Sequence, residues 1–344
     1  MPSLRSYREK ELASYNLDVE LFNQFNLSVY SVMPLRKTFL ISTDKGDKIL
    51  KKVDYTLEEF QFILAAVNYI KNENGFNEIM NFNKTIDGKE YYIDNGDLYC
   101  VMDMIEGKEC EYSNPIDLSV SAFGLGKLHS ASEGFRYSEL ECKNIWGKMI
   151  KSFIRKKEEI AFLKNMVKLY ENLNEFDNIF LENVDYYIKQ MEKSIDILEK
   201  SQYYKLCSEE DKIVLCHHDL AHRNIIIKDE KAYFIDFDYA IIDLKVHDLC
   251  NMISKAVKVF DYSINNSKII ISNYLKSNSL NANEFEVLFG MLSFPEDFYN
   301  MAKVYYTKRK EWSDETFISR MNKKICNEEN RIEFLTDFKK NFKI

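Results

Sequence analysis

The stretch Val214-Leu-Cys-His-His-Asp-Leu-Ala-His-Arg-Asn-Ile-Ile-Ile227, followed by Phe234-Ile-Asp-Phe-Asp-Tyr-Ala240, holds the side chains best suited to chemistry. Each half is an apolar run ending in carboxylate, histidine or carboxamide. Val214 to Cys216 is expected as a buried strand that delivers His217, His218 and Asp219 to a loop closed by Asn224. Ile225 to Ile227 starts the next strand, residues 228–232 turn it, and Tyr233 to Ile235 runs back to present Asp236 and Asp238. A hairpin over 214–240 would converge Asp219, Asn224 and Asp236, the oxygen donors that a magnesium-bound phosphate needs. By the period of two, Asp238 shares a strand face with Asp236 and could reach a second metal.

The elements that must position these residues follow from composition and periodicity. A chain of 344 residues fits two lobes, and only 10 glycines and 4 prolines argue against an all-β or disordered protein. The net charge of −8, with no basic domain, excludes general nucleic-acid binding. Seven scattered cysteines without a CxxC pair read as reduced thiols, with neither disulfide frame nor zinc knuckle. No N-terminal apolar region and no apolar stretch of membrane-spanning length occur, so cytoplasmic synthesis without a signal peptide or membrane span is expected.

A helix is expected around Tyr15 to Phe25, then strands at Ser28–Met33, Lys37–Thr43 and Lys48–Val53, the last two joined through Asp44-Lys-Gly-Asp47. Thr56 and Glu59 form a capping-box pattern before a helix, and Glu90–Ile93 and Leu98–Met104 add two strands around Asp94-Asn-Gly-Asp97. Residues 1–104 therefore read as a sheet lobe and 105–115 as a hinge. Residues 116–344 read as a lobe of helices at 116–132, 143–173, 178–200, 247–260, 264–277, 283–292, 295–309 and 313–341, interrupted by the 214–240 hairpin. The fold class is α+β, a protein-kinase-like bilobal fold with a small antiparallel-sheet N-lobe and a large, mostly helical C-lobe.

His217-His-Asp219-Leu-x-x-x-Asn224 with Ile235-Asp236-Phe-Asp238-x-Ala240 resembles the signature of the aminoglycoside phosphotransferase and choline kinase superfamily. Within it the chain is most similar to the CotS-type spore-coat kinase-like proteins. Ile49-Leu-Lys51, Val101-Met-Asp-Met-Ile-Glu-Gly107, Leu128-His129, Asp243-x-x-x-His-Asp248-Leu and Leu292-Ser-Phe-Pro295 extend the match over about residues 20 to 340. The resemblance implies ATP and Mg²⁺ as cofactors, a small-molecule acceptor, spore-coat proteins as partners and the spore coat as location.

On that reading Asp219 is the base for the attacking hydroxyl, and Asn224, five residues on as in a kinase catalytic loop, is a metal ligand with Asp236 and Asp238. Lys51 is preferred over Lys52 as the phosphate-binding strand lysine, because Ile49 and Val53 share its face. His217 supports the loop; His218 stands where many relatives have glycine; His222 faces solvent or substrate. Asp248 either braces the loop or caps its own helix. The adenine would lie against backbone from Met104 to Glu106, under Met102 and Met104, which serve equally well as core. Glu296 to Tyr299, Tyr305, Tyr306 and Trp312 either hold a cationic amino or quaternary ammonium acceptor or form a helical core stripe.

Two positions depart from the family pattern. The helix that should supply a glutamate to Lys51 has Ile63 there, and Met33-Pro-Leu-Arg-Lys37 replaces a glycine-rich phosphate loop, leaving Arg36 and Lys37 to supply charge. The expected function is a spore-coat-associated, ATP-dependent phosphotransferase with an alcohol-group acceptor, an amino alcohol or a sugar-like molecule. The alternatives are a catalytically weak pseudokinase with a binding or structural role in the coat, and a metal-dependent phosphohydrolase using His218-Asp219 and His247-Asp248.

Overall fold

Residues 17–344 are described by a computed structural model, and they divide into two compact units. The expected Tyr15–Phe25 helix is seen as α1 (Val19–Gln24), started by Asp18, whose side chain accepts from the Glu20 amide; Tyr15 and Asn16 lie outside the described residues.

The first unit holds the described residues up to Cys110 with Tyr137–Glu141 and Arg223–Tyr239. Its sheet contains β1 (Val29–Leu35), β2 (Thr38–Thr43), β3 (Gly46–Val53), β4 (Tyr92–Asp94) and β5 (Asp97–Asp103), all antiparallel, in the order β1-β2-β3-β5-β4. Strand alternation gives it two apolar faces. Ile41, Leu50 and Val101 pack with Leu21 and Phe22 of α1, while Val53, Leu98 and Cys100 pack with Phe60 of α2 (Leu57–Asn68). Helix α2 begins with the predicted capping box, Thr56 and Glu59 each bonding the other's backbone. Glu59 is thereby committed to the helix start, and Ile63 is buried.

A second sheet joins β6 (Lys108–Glu109) to β8 (Ile225–Lys228) and β9 (Lys231–Phe234). Asp229 and Glu230, both left-handed at φ 49° and 57°, make the two-residue turn between β8 and β9. Gly107 is needed before β6, because a Cβ there would stand 2.7 Å from the Ile226 side chain and the Ile227 carbonyl oxygen. The sequence reading placed everything after residue 116 in the helical lobe. Instead, residues 223–239 cluster with the sheet unit, because β8 pairs with β6 and the Phe234 backbone bonds Glu78 and Met80.

The second unit holds Glu111–Arg136, Cys142–His222 and Ala240–Ile344. It contains α3 (Pro115–Ser132), α4 (Met149–Val167), α5 (Glu175–Lys200), α6 (Tyr203–Leu206), α7 (Val246–Ala256), α8 (Ile264–Tyr274), α9 (Ala282–Ser293), α10 (Glu296–Tyr306), α11 (Asp314–Cys326) and α12 (Glu328–Phe342). The helix expected over 313–341 is two, divided at Asn327, which ends α11 and precedes α12. Among these helices lies one antiparallel pair, β7 (Ile213–Cys216) with β10 (Ile241–Leu244), buried along its whole length. Helix α3 packs on α8, and α5 packs against α4 and α9.

Candidate active site

In the sheet unit, β3 puts Lys51 on the α2 face and Lys52 on the other, where Lys52 pairs with Asp97 at the surface. The Lys51 side chain is 13% exposed, and its Nζ donates to Asp236 Oδ1 at 3.0 Å and Asp238 Oδ1 at 2.5 Å. Tyr55 donates its hydroxyl to the same Asp238 oxygen at 3.0 Å. Burial alone would lower the Lys51 ammonium; the two aspartates overcome it and hold it above its usual range. Burial pushes the Asp238 carboxyl up, Lys51 pulls it down, and neighbouring Asp236 pushes it up again.

The carboxylates do not converge by strand alternation. Strand β9 ends at Phe234, and Asp236 is left-handed at φ 66°, so the chain turns sharply there. That turn, and not a shared strand face, brings both aspartates onto one ammonium. Asn224 is 3% exposed, and its backbone carbonyl accepts from the Ile235 amide, one residue before Asp236. Two carboxylates and a carboxamide are the hard oxygen donors that Mg²⁺ takes, and the pair already accommodates a cation, the Lys51 ammonium. The residues fit the metal.

Arg36 sits left-handed at φ 56° in the β1–β2 turn and pairs with Glu109 at 2.9 Å; Lys37 lies 3.7 Å from Asp54. Both cations thus already lie beside carboxylates of the same unit. Met104 and Glu106 are exposed beyond β5, while Met102 packs against the Phe60 cluster.

In the helical unit, β7 delivers His217, His218 and Asp219. Asp248, fully buried in the first turn of α7, accepts from the His217 amide at 2.6 Å, the His218 amide at 2.8 Å and His129 Nε2 at 3.2 Å. It therefore braces the loop and does not cap its helix, whose N-cap is Lys245. Burial alone would raise its pKa; the His129 hydrogen bond and the surrounding donors bring it down to about 2. His129 Nδ1 is in turn 2.8 Å from the Tyr274 hydroxyl. Asn251 clamps the same loop, donating to the His218 carbonyl and accepting from the Leu220 amide. Lys255 donates to Asp219 Oδ1 at 2.7 Å.

His218 is left-handed at φ 63°, a conformation that favours glycine, and its ring meets His247 at 4.7 Å. Burial, then His247, lower its pKa to about 4. His217 is fully buried, and its Nδ1 accepts from the Asp219 amide at 3.4 Å. His222 packs edge-on to Tyr112. His247 Nδ1 binds Asp243 at 2.7 Å, and Asp248 is taken up by backbone amides, so the His247-Asp248 doublet is committed to structure.

A cavity of about 840 Å³ opens beside His218 and Lys255 and reaches Glu296 and Asp297. Of the aromatic residues of α10, Phe298 and Tyr299 are buried and Tyr305 and Tyr306 half-buried. Phe298 stacks on Tyr187 at 3.9 Å, Tyr305 stacks on Phe176 at 3.7 Å, and Tyr306 donates to Asp177. Trp312 is covered by the Arg320 guanidinium at 4.0 Å.

Lys255, Asn251 and Tyr55 escaped the sequence reading of the site, and His129 was named there without a role. Asp248, Asn251 and Lys255 occur at i, i+3 and i+7 on α7, a polar stripe that was available in the sequence. Tyr55 carries no such signal.

The fold is that of solved aminoglycoside phosphotransferases. An aminoglycoside phosphotransferase from Alicyclobacillus acidocaldarius superposes with a TM-score of 0.84, covering 95% of this chain and 96% of that one at 15% identity. An AMP-bound spectinomycin phosphotransferase gives 0.66 over 92% and 96% at 16% identity. More narrowly, the chain belongs to the family described as "Spore coat putative kinase YutH", whose model matches residues 18–338. Spore coat protein S of Bacillus subtilis (strain 168) is 24% identical over 331 residues, 95% of this chain and 93% of that relative.

Proposed function

We propose that this protein is an ATP- and Mg²⁺-dependent phosphotransferase of the spore coat that phosphorylates a hydroxyl of a small molecule. The observation that carries the proposal is Lys51 held between Asp236 and Asp238. One buried ammonium and two carboxylates supply a phosphate ligand and a metal-binding pair within one unit. Asp236, Asp238 and Asn224 would hold the metal, which when bound neutralises charge on the transferring phosphoryl group. Lys51 would exchange its aspartates for the nucleotide's phosphates. The exposed segment around Met104 and Glu106 would take the adenine, leaving Arg36 with Glu109.

Asp219 accepts the proton of the acceptor hydroxyl and orients it. Lys255 donates to that carboxylate, and His217 and Asp248 fix the loop that carries it. The spore-coat location rests on family membership and the likeness to spore coat protein S. Among the described residues no helix is long and apolar enough to cross a membrane.

The test is ADP release by the full chain with Mg-ATP and an acceptor panel: release that requires Mg²⁺ and is lost in Asp219→Ala is expected, and equal release by that variant refutes the assignment. A pseudokinase is the second reading, favoured by buried Ile63 in place of a helix glutamate. It predicts saturable Mg-nucleotide binding with no ADP release for any acceptor.

A further inference from the structure

The cavity beside Asp219's partner Lys255 is lined by eight lysine and arginine side chains against three carboxylates, in a chain whose net charge is −8. Each of those carboxylates is already in an ion pair. Glu296 takes Lys156 at 2.7 Å, Glu328 takes Arg331 at 2.8 Å, and Asp297 is shared between Lys258 at 2.7 Å and Lys324 at 3.7 Å. An ammonium group entering the cavity would find no uncommitted carboxylate among these and would meet a positive field. Burial lowers Lys324 below its usual range, and Lys258 adds to that against the pull of Asp297, so further negative charge there would be stabilising. Of the aromatic groups expected to grip a cation, Tyr305 stacks on Phe176 and Trp312 is covered by Arg320, and neither lines the cavity.

We infer that the acceptor is a hydroxylated molecule carrying at least one anionic group, a carboxylate or a phosphate, drawn by the cationic excess of the cavity, with Lys258, Lys324 and Lys156 turning to it from Asp297 and Glu296. The inference rests on the phosphotransferase reading for calling the ligand an acceptor; the charge preference of the cavity stands without turnover. Lys255 stays on Asp219, and the anion lies toward α10 and α11.

The experiment is equilibrium binding by calorimetry to the full chain, with Mg²⁺ and a non-hydrolysable ATP analogue present. Glucose, glucosamine, glucuronate and glucose 6-phosphate share a ring and differ in charge. Glucuronate or glucose 6-phosphate should bind at least about tenfold more tightly than glucosamine, with the margin shrinking at high salt. The stronger of the two anions tells carboxylate from phosphate. Lys258→Gln should remove about fivefold of that margin while leaving nucleotide affinity unchanged. Glucosamine binding as tightly as the anions, or neither anion binding in the millimolar range, overturns the inference. Absence of ADP release would count against the phosphotransferase reading alone.

Discussion

Lys51 is held by Asp236 and Asp238, while Ile63 is buried and Glu59 closes the α2 capping box. Replacing Lys51 with Met should therefore weaken Mg-nucleotide binding by about tenfold to a hundredfold, since a charge-assisted contact to phosphate is lost, and should leave two adjacent carboxylates uncompensated. Calorimetric titration of Mg-ATP into both proteins checks this. Asp219→Ala should lower turnover by about a thousandfold with nucleotide affinity retained, because it removes proton transfer and not phosphate contacts. Single-turnover kinetics separates the two.

His218 and Asp248 make stability depend on pH in adjoining windows. The His218 pKa is about 4 in the fold against an ordinary 6.5, so the unfolded chain takes the proton first, and stability falls as pH drops from about 6.5 to 4. Asp248, lowered to about 2, contributes stability that is full above the ordinary carboxylate value and lost as pH falls through about 2. The His218 contribution is at most about 3 kcal/mol. His218→Gly removes both this titration and the left-handed strain. The denaturation midpoint of that variant should be nearly flat between pH 6.5 and 4, whereas the parent's declines. At this scale Asp219, Asn224, Asp236 and Lys51 stood out in the sequence because their types and spacing match a kinase-like motif. The left-handed turn at Asp236 was not, since no glycine marks it.

Among the elements, the β8–β9 turn and helix α7 do most to place these side chains. Asp229 and Glu230 occupy two consecutive left-handed positions, where Asn-Gly is the favoured pair. Glu230→Gly should therefore stabilise the sheet unit by about 0.5–1 kcal/mol, read as a higher midpoint in urea denaturation. A decrease would mean that the turn is held by side-chain contacts and not by backbone preference. The five-stranded sheet was readable because Asp44-Lys-Gly-Asp47 and Asp94-Asn-Gly-Asp97 punctuate it. Strand β6 was not, as two residues carry no period, and neither was the break at Asn327, which has no glycine or proline nearby. The pairing of β7 with β10 joins segments 25 or more residues apart, and local pattern says nothing about such partners.

At the scale of the whole molecule, the chemistry is divided between the units. The proposed phosphate and metal groups Lys51, Asn224, Asp236 and Asp238 belong to one; the proposed base Asp219, its Lys255 partner and the cationic cavity belong to the other. The sequence reading gave the 214–240 stretch to a single lobe, because chain continuity suggests it; the compact units part it after His222. Family membership and superposition establish the kinase-like fold, and activity depends on whether both sets of groups work on one phosphoryl group. The most direct measurement is phosphorus NMR of Mg-ATP with the full chain and an anionic hydroxyl acceptor, run alongside Asp219→Ala and Asp236→Asn. The account predicts that the γ-phosphate signal is replaced by a phosphomonoester signal in the parent alone. Appearance of inorganic phosphate only, or the same phosphomonoester in either variant, would contradict it.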